Sequence, residues 1–273
     1  MSGKLYVVGT PIGNLGDISP RALQVLSEVD FIAAEDTRVT AKLLNHFEIK
    51  KPLISYYEHN KTEKGAEIIG RLSNGEKCAV VTDAGMPVIS DPGEDLVRLA
   101  HENGVDVESV PGPSALITAL AISGMTSGRF CFEGFLSVNK PSRKRHLESL
   151  KNEKRTMIFY EAPHKLVATL KDMAEVFGDD RELAVIKELT KIHETVMRTN
   201  FGEAYEYFSS NTPRGEYVLV IAGAEEKTQE YTLEKAALLA KKLMDAGMSA
   251  SSAAKETANI TGIKKGDIYK NII

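Results

Sequence analysis

The chain has 273 residues, of which 42% are hydrophobic and 26% are charged, and its formal net charge is −4. These values are typical of a folded protein of about two domains, exclude wholesale disorder, and argue against a surface covered with nucleic-acid contacts. No apolar run approaches the ~20 residues of a membrane-spanning helix. The two cysteines lack disulfide or metal-site spacing, and the six histidines lack metal-site spacing. We therefore expect a cytoplasmic protein with reduced thiols and no metal ion.

The first 112 residues predict an open α/β domain. The predicted strands are Leu5–Val8, Phe31–Ala34, Leu53–Tyr56, Ala79–Thr82 and Val107–Val110. Amphipathic helical segments separate them: Arg21–Ser27, Ala41–His46, Lys64–Leu72 and Glu94–Glu102. This alternation implies crossover connections, so we expect a mostly parallel sheet with helices on both faces.

A second α/β domain is predicted over residues 113–224, after the break at Pro111–Ser114. Its predicted strands are Phe130–Glu133, Met157–Tyr160, Leu183–Lys187, Thr195–Arg198 and Tyr217–Ile221. Its predicted helices are Ala115–Ser123, Arg143–Leu150, Leu166–Phe177 and Gly202–Ser209. A polar linker follows, and three helical segments over residues 232–273 resemble a helix-turn-helix unit.

A glycine turn, Gly9–Asn14, follows the first predicted strand, where an open α/β sheet commonly binds its ligand. The dinucleotide fingerprint has a second glycine where this chain has Pro11. Proline supplies no N–H donor to a pyrophosphate, so the loop favours a nucleoside ligand without phosphates. A plain strand-to-helix turn is the alternative interpretation.

Acidic residues follow two further strands. Asp36 ends the second predicted strand, where an acid can bind ribose hydroxyls, although it can equally cap the helix that follows. Asp83 lies at the carboxyl end of the fourth predicted strand, where the ligand crevice is expected. We predict that Asp83 contacts a nucleoside-type cofactor, with further contacts from backbone groups of Gly85 to Ser90.

Together these segments closely resemble the ribosomal RNA small subunit methyltransferase I family, a branch of the tetrapyrrole-methylase-like (class III) S-adenosylmethionine-dependent enzymes. The segments that carry the resemblance are Val8–Ser19, Ala34–Arg38, Asp83–Gly93 and Pro111–Ala115. Later segments agree with it: Phe132–Leu136, Tyr160–Lys165, Lys187–Lys191 and Pro213–Glu216. The chain departs from the family's pattern at Met86, Ser137 and Lys165, where threonine, proline and arginine are usual.

The resemblance implies a homodimer of two-domain α/β subunits with S-adenosylmethionine in the cleft between the domains. It implies methyl transfer to the ribose 2′-hydroxyl of a cytidine in the decoding region of 16S rRNA, within the small ribosomal subunit. The implied cofactor contacts are Pro11, Asp83, Gly85, Val88, Ser114 and Ala115. Tyr160 and Pro213 are expected to close the cleft from the second domain.

A ribose hydroxyl is a poor nucleophile until its proton leaves, so a base or a nearby cation is expected at the site. The candidates are Asp36, Lys187, Glu188 and Lys191. The residues alone leave the base unassigned, because the segment 187–191 is equally consistent with a solvated strand end.

RNA binding requires a cationic docking surface. The segment Ser137–Arg155 holds seven Lys and Arg residues against two Glu residues in a net acidic chain. We predict phosphate contacts from five cations: Arg38, Lys140, Arg143, Lys144 and Arg145. The lysines of the helical tail are consistent either with a second RNA contact or with a packing appendage.

Three other functions stay open on the sequence alone. A methylase of a tetrapyrrole or of a modified protein side chain would share the fold but would not need the basic segment. An NAD-dependent oxidoreductase is disfavoured by Pro11 and the missing third glycine. A non-enzymatic RNA-binding module would leave the Asp83 segment without a role.

Overall fold

The computed structural model describes residues 3–89, 93–225 and 231–273. The chain divides into a larger unit, residues 1–224, and a smaller unit, residues 225–273. Among the helices in the described segments, none combines the length and the apolarity needed to cross a bilayer.

The first sheet of the larger unit is parallel throughout, as predicted. Its strands are β1 (Lys4–Val8), β2 (Phe31–Ala34), β3 (Leu53–Ser55), β4 (Lys77–Val81) and β5 (Asp106–Val110), in the order β3-β2-β4-β1-β5. The helices between them are α1 (Pro20–Glu28), α2 (Thr37–His46), α3 (Lys61–Ser73) and α4 (Gly93–Glu102). Alternate strand residues enter two separate buried clusters, with Val7 in one and Val8 in the other, so both faces are covered. The carboxyl ends of all five strands therefore meet at one edge.

The second sheet is mixed. This differs from the sequence prediction, because the continued alternation of strands and helices favoured parallel strands. Its strands are β6 (Phe130–Phe135), β7 (Thr156–Glu161), β8 (Glu182–Lys187), β9 (Thr195–Asn200) and β10 (Tyr217–Ile221), in the order β6-β7-β10-β8-β9. Only β6 and β7 are parallel. β8 and β9 are joined by a loop over 188–194 without a helix, and such a short connection requires antiparallel neighbours.

Four helices cover the second sheet: α5 (Ala115–Ser123), α6 (Lys140–Ser149), α7 (Pro163–Phe177) and α8 (Phe201–Ser210). β6 carries a bulge, since its register against β7 shifts between Phe132 and Gly134. Gly134 has a φ of +65°, a conformation that glycine adopts readily. Both sheets belong to the larger unit, so the domain boundary after residue 112 stays a prediction.

The smaller unit contains the three helices predicted for the tail: α9 (Leu233–Asp245), α10 (Ala250–Thr261) and α11 (Lys265–Ile272). Thr232 and Ser249 cap α9 and α10 through their hydroxyls, and Gly262 ends α10 in the left-handed conformation. Alanines of α9 and α10 pack with Ile268 in a small core. Residues 226–230 of the predicted linker lie outside the described residues.

Candidate functional site

Loops at the carboxyl edge of the first sheet are fastened to one another. The Thr10 amide donates to the Gly85 carbonyl at 2.9 Å, and the Gly85 amide donates back to the Thr10 carbonyl at 3.1 Å. A Cβ on Gly9 would lie 2.7 Å from Gly112 Cα, so any side chain at Gly9 would force the β1 and β5 loops apart. The loops after β1, β4 and β5 therefore form one continuous wall.

A cavity of about 490 Å³ lies between this wall and the second sheet, within the range of small-ligand sites. Four carboxylates line it: Glu35, Asp83, Glu161 and Glu216. Within the described part of the chain, no Lys, Arg or His side chain lines it. The same described residues hold no group of three His, Cys, Asp or Glu side chains that could bind a metal ion. Glu161 and Glu216 are offset by ion pairs with Lys165 and Lys191, so the negative charge of the cavity comes chiefly from Glu35 and Asp83. This charge favours a cationic ligand over phosphates.

Asp83 links the ends of β2 and β4. Its Oδ1 accepts a hydrogen bond from the Asp36 amide at 3.0 Å. Partial burial raises the pKa of Asp83, and the neighbouring carboxylates of Glu35 and Asp36 act in the same direction. Glu35 is itself held in place, because the Thr82 hydroxyl donates to its Oε2 at 2.7 Å. This part of the wall is a fixed acidic surface.

The opposite side of the cavity is aromatic. Tyr160, at the end of β7, accepts a hydrogen bond at its hydroxyl from the Leu116 amide at 3.0 Å, and burial raises its pKa. Phe132 and Phe135 both meet the Tyr160 ring edge-on, with centroids 4.9 Å and 5.4 Å away. The rings are held by β6, β7 and the start of α5, so this side is also preorganised.

Five of the residues predicted to contact a cofactor line this cavity: Asp83, Gly85, Ser114, Ala115 and Tyr160. Three do not line it: Pro11, Val88 and Pro213. Pro11 is buried and its neighbour Ile12 lines the cavity instead, while the Val88 side chain packs against the core of the first sheet. Ser90 lies outside the described residues. The cofactor roles themselves stay predictions.

The four candidates for removing a proton are poorly suited to act as bases. Hydrogen bonds from Arg38 lower the pKa of Asp36 to about 2, and Asp36 caps α2 by accepting from the Arg38 amide at 2.8 Å. A hydrogen bond from Lys191 lowers the pKa of Glu188. Burial alone would lower the pKa of Lys191, but hydrogen bonds to Glu216 and Glu188 raise it overall. Lys187 ends β8 and does not line the cavity.

The predicted RNA-binding cations differ in how far their charged groups are exposed to a phosphate. Lys140, Lys144 and Arg145 are exposed on α6. Arg38 is also exposed, although its guanidinium pairs with Asp36 at 2.6 Å. These four keep their predicted role as phosphate contacts.

Arg143 is a correction to the sequence prediction. Its side chain is 11% exposed, and its Nη2 lies 2.6 Å from Oδ2 of Asp172, whose side chain is 10% exposed. Its Nη1 also donates to the Ser137 carbonyl at 3.0 Å. Arg143 therefore fastens α6 to α7, and its guanidinium is not presented to a phosphate.

Several lining residues were not singled out from the sequence: Ile12, Glu35, Thr82, Phe135, Glu161 and Glu216. Glu35 and Thr82 are the sequence neighbours of Asp36 and Asp83. The sequence analysis therefore selected the correct strand ends but did not select these two lining residues. Phe135 was missed because regular strand alternation does not place it beside Phe132; the bulge at Gly134 does.

The comparisons with known proteins agree with this geometry. The family model described as Tetrapyrrole (Corrin/Porphyrin) Methylases matches residues 4–205. A protein named ribosomal RNA small subunit methyltransferase I from Synechocystis sp. is 47% identical over 269 residues, covering 98% of this chain and 96% of that protein. A protein of the same name from Thermotoga maritima is 50% identical over 223 residues, covering 82% of this chain and 100% of that protein.

A solved structure shares the fold of this chain. It is the uroporphyrin-III C-methyltransferase from Thermus thermophilus, complexed with S-adenyl homocysteine. The similarity covers 81% of this chain and 97% of that chain, with a TM-score of 0.58 and 18% sequence identity. At this identity the likeness concerns the architecture of the two sheets.

Proposed function

Since the chain belongs to the tetrapyrrole methylase family and, within it, to the ribosomal RNA small subunit methyltransferase I family, we propose that it transfers a methyl group from S-adenosylmethionine to 16S rRNA of the small ribosomal subunit. We propose further that the acceptor is the ribose 2′-hydroxyl of a cytidine. The observation that carries the proposed donor is the charge of the cavity, which four carboxylates line. S-adenosylmethionine is a sulfonium cation without phosphates, so the acidic cavity attracts it.

The same observation disfavours a nicotinamide dinucleotide. A pyrophosphate requires backbone N–H donors or cationic side chains. Pro11 removes one donor from the first loop, and no described cavity-lining side chain is Lys, Arg or His. The carboxylates of Glu35 and Asp83 would repel the phosphates instead.

In this proposal the chain's main contribution to rate is positioning. The bound donor supplies an activated methyl group, and displacement at that carbon requires the acceptor oxygen to be in line with it. Asp83 and the backbone of Gly85 hold the nucleoside part, and Tyr160 fixes the opposite side of the cavity. Ser114 and Ala115 at the start of α5 complete this contact surface.

The acceptor hydroxyl must also lose its proton, which in this proposal passes to solvent water as the C–O bond forms and the S–C bond breaks. Asp36 and Glu188 have lowered pKa values, so they are weak bases, and Lys191 stays protonated at neutral pH. We therefore assign Lys191 the part of a cation that stabilises negative charge developing on the 2′-oxygen, since its partner Glu216 lines the cavity. The substitution Lys191→Met should lower kcat measured at saturating S-adenosylmethionine, where any change in donor affinity caused by the unpaired Glu216 has no effect. An unaltered kcat would remove this assignment.

Small ribosomal subunits test the reaction directly. The protein is incubated with methyl-labelled S-adenosylmethionine and unmethylated subunits, and the RNA is then digested with alkali. A 2′-O-methyl group blocks cleavage at its own linkage, so the label should appear in an alkali-resistant dinucleotide with cytidine on the methylated side. Label in mononucleotides would contradict ribose methylation, and transfer to a tetrapyrrole or a modified protein side chain would favour the alternative methylase functions.

We also propose that the protein acts as a cytoplasmic homodimer. The outward face of α5 exposes Ile117 and Ile122, and α5 packs beside the edge strand β9, which exposes Val196. Exposed apolar side chains on neighbouring elements are a feature of association sites. Light scattering should give a dimer mass for the native chain and a monomer mass for Ile117→Lys with Ile122→Lys. A monomeric native chain would contradict the proposed assembly.

A further inference from the structure

Phe135 is an exposed aromatic ring in a constrained position. It ends β6, its side chain is 56% exposed, and it lines the mouth of the cavity. A single exposed hydrophobic residue is common on protein surfaces and carries no meaning alone. What distinguishes Phe135 is the set of contacts that fix its ring.

The bulge in β6 sets the direction of the Phe135 side chain. In a regular strand, residues three apart point to opposite faces of the sheet. The register shift between Phe132 and Gly134, with Gly134 at a φ of +65°, places Phe132 and Phe135 against the same Tyr160 ring. Bulges beside active sites commonly redirect a side chain in this way.

A cation is fixed beside the ring. Lys165 Nζ lies 5.6 Å from the Phe135 ring centroid and 3.1 Å from Oε1 of Glu161. The Glu161 side chain is buried and also accepts from the Thr169 hydroxyl at 2.6 Å. Lys165 is therefore held over the Phe135 ring by an anchored carboxylate that lines the cavity, and the ring still keeps 56% of its surface exposed.

The chain connects this ring directly to the basic helix. Lys140 begins α6 five residues after Phe135 in the sequence, and Lys144 and Arg145 follow on the same helix. A single-stranded nucleic-acid site combines cations that follow the backbone with an aromatic ring on which a base stacks. Phe135 provides the ring, and α6 and Lys165, which follow it in the sequence, provide the cations.

We infer that Phe135 is the stacking platform for the nucleobase of the nucleotide whose ribose is methylated, with Lys165 beside it as a contact for the adjoining phosphate. This inference rests on the proposed function and specifies how its substrate is held. The acidic wall at Asp83 holds the donor, and the ring at Phe135 holds the base, so the ribose lies between them.

Replacement of Phe135 separates stacking from simple burial. Phe135→Leu keeps an apolar side chain of similar volume and removes the π-face, whereas Phe135→Trp keeps an aromatic face. We expect kcat/KM for unmethylated small subunits to fall about 10-fold or more in the leucine variant, because stacking contributes ~1–3 kcal/mol per base. The tryptophan variant should stay within threefold of the native chain, and the Kd for S-adenosylmethionine should not change in either.

Tyr207 provides the matched control. It is an exposed aromatic residue on α8, 47% exposed, and it does not line the cavity. Tyr207→Leu should leave kcat/KM unchanged. A Phe135→Leu variant as active as the native chain overturns the platform, and so does a weakened Kd for S-adenosylmethionine, because Phe135 would then pack on the donor.

A fluorescence measurement reports stacking without turnover. The chain has nine tyrosines and no tryptophan, so Phe135→Trp places the only tryptophan at the proposed platform, and excitation at wavelengths that tyrosine does not absorb reports on that residue alone. At saturating concentrations, a single-stranded RNA with one cytidine should quench it, and the same RNA with an abasic site at that cytidine should not. Tyr207→Trp should respond equally to both RNAs. A base-independent or absent response at residue 135 contradicts the inference.

Failure of the inference differs from failure of the proposed function. If the native chain transfers no methyl group to small subunits, the proposed function and the platform fall together. If the native chain is active but the leucine and tryptophan variants behave alike, only the platform is wrong.

Discussion

The two sides of the cavity differ in their aromatic content and in the state of their carboxylates. The first-sheet side presents Glu35 and Asp83 on loops that follow parallel strands. The second-sheet side presents the rings of Phe135, Tyr160 and Tyr217, and its two carboxylates, Glu161 and Glu216, are paired with Lys165 and Lys191. Parallel strands bring several loop ends to one edge, which suits a small charged ligand. The mixed second sheet places aromatic rings on its strands, and such rings suit a flat ligand that can stack on them. The difference predicts that donor and acceptor contacts can be disrupted independently.

The largest expected effect is on stability and concerns the support of the aromatic side. Arg143→Ala would leave the largely buried Asp172 carboxylate with only the longer ion pair to Lys140, at 3.9 Å, among the described residues. The cost in the free energy of unfolding should be up to about 3 kcal/mol. Urea unfolding should show this loss, whereas Lys144→Ala on the same helix should change stability by less than about 0.5 kcal/mol. Equal stability of the two variants would show that the Arg143 pair does not brace α6.

The next effect concerns the acidic side alone. Asp83→Ala removes a carboxylate that faces the cavity, so the Kd for S-adenosylmethionine should rise about 10- to 100-fold. Asp106→Ala, on the exposed start of β5, is the control and should leave the Kd unchanged. An unchanged Kd in the Asp83 variant would place the donor elsewhere, and the comparison between the two sides would lose its basis.

A smaller effect should be confined to RNA docking. Lys144→Glu with Arg145→Glu removes two phosphate contacts, so the slope of log affinity for small subunits against log salt should become shallower by about two. The Kd for S-adenosylmethionine should stay the same. Lys171→Glu, an exposed lysine on α7, is the single-charge control. If the slope is unchanged in the double variant, α6 is a solvated helix and the docking surface lies elsewhere.

The smallest effect is on pH dependence. Burial raises the pKa of Asp83, and a bound cation favours its ionised form, so binding must release a proton when Asp83 is protonated. Affinity for S-adenosylmethionine should be constant at neutral pH and fall on acidification, beginning at a higher pH than for an ordinary aspartate, near 4. Asp83→Asn should abolish this dependence. A titration with the same pH profile in both proteins would assign the proton to another group.

The sequence predicted most of the fold because the strands are short apolar runs. Phe31–Ala34 is buried at every position, and its predicted bounds coincide with those of β2. Asp83 was predicted for the same reason, because it lies two residues after the end of the apolar strand β4. Local patterns of this kind do not depend on distant contacts.

The features that sequence reasoning missed depend on distant partners or on local irregularity. Arg143 belongs to a basic run, but its role is set by Asp172, which lies on another helix. Phe135 lies beyond the predicted strand, which ended at Glu133, and its direction depends on the bulge at Gly134. The antiparallel pairing of β8 with β9 follows from the missing helix between them, a signal that the sequence contained.

Calorimetric titration of the purified chain with S-adenosylmethionine and, separately, with NAD is the most direct test of the central claim that an acidic cavity between the two sheets binds a cationic donor. We predict measurable binding of S-adenosylmethionine that Asp83→Ala weakens and that Asp106→Ala does not, and no binding of NAD. Tight binding of NAD, or an affinity for S-adenosylmethionine indifferent to Asp83, would contradict the account.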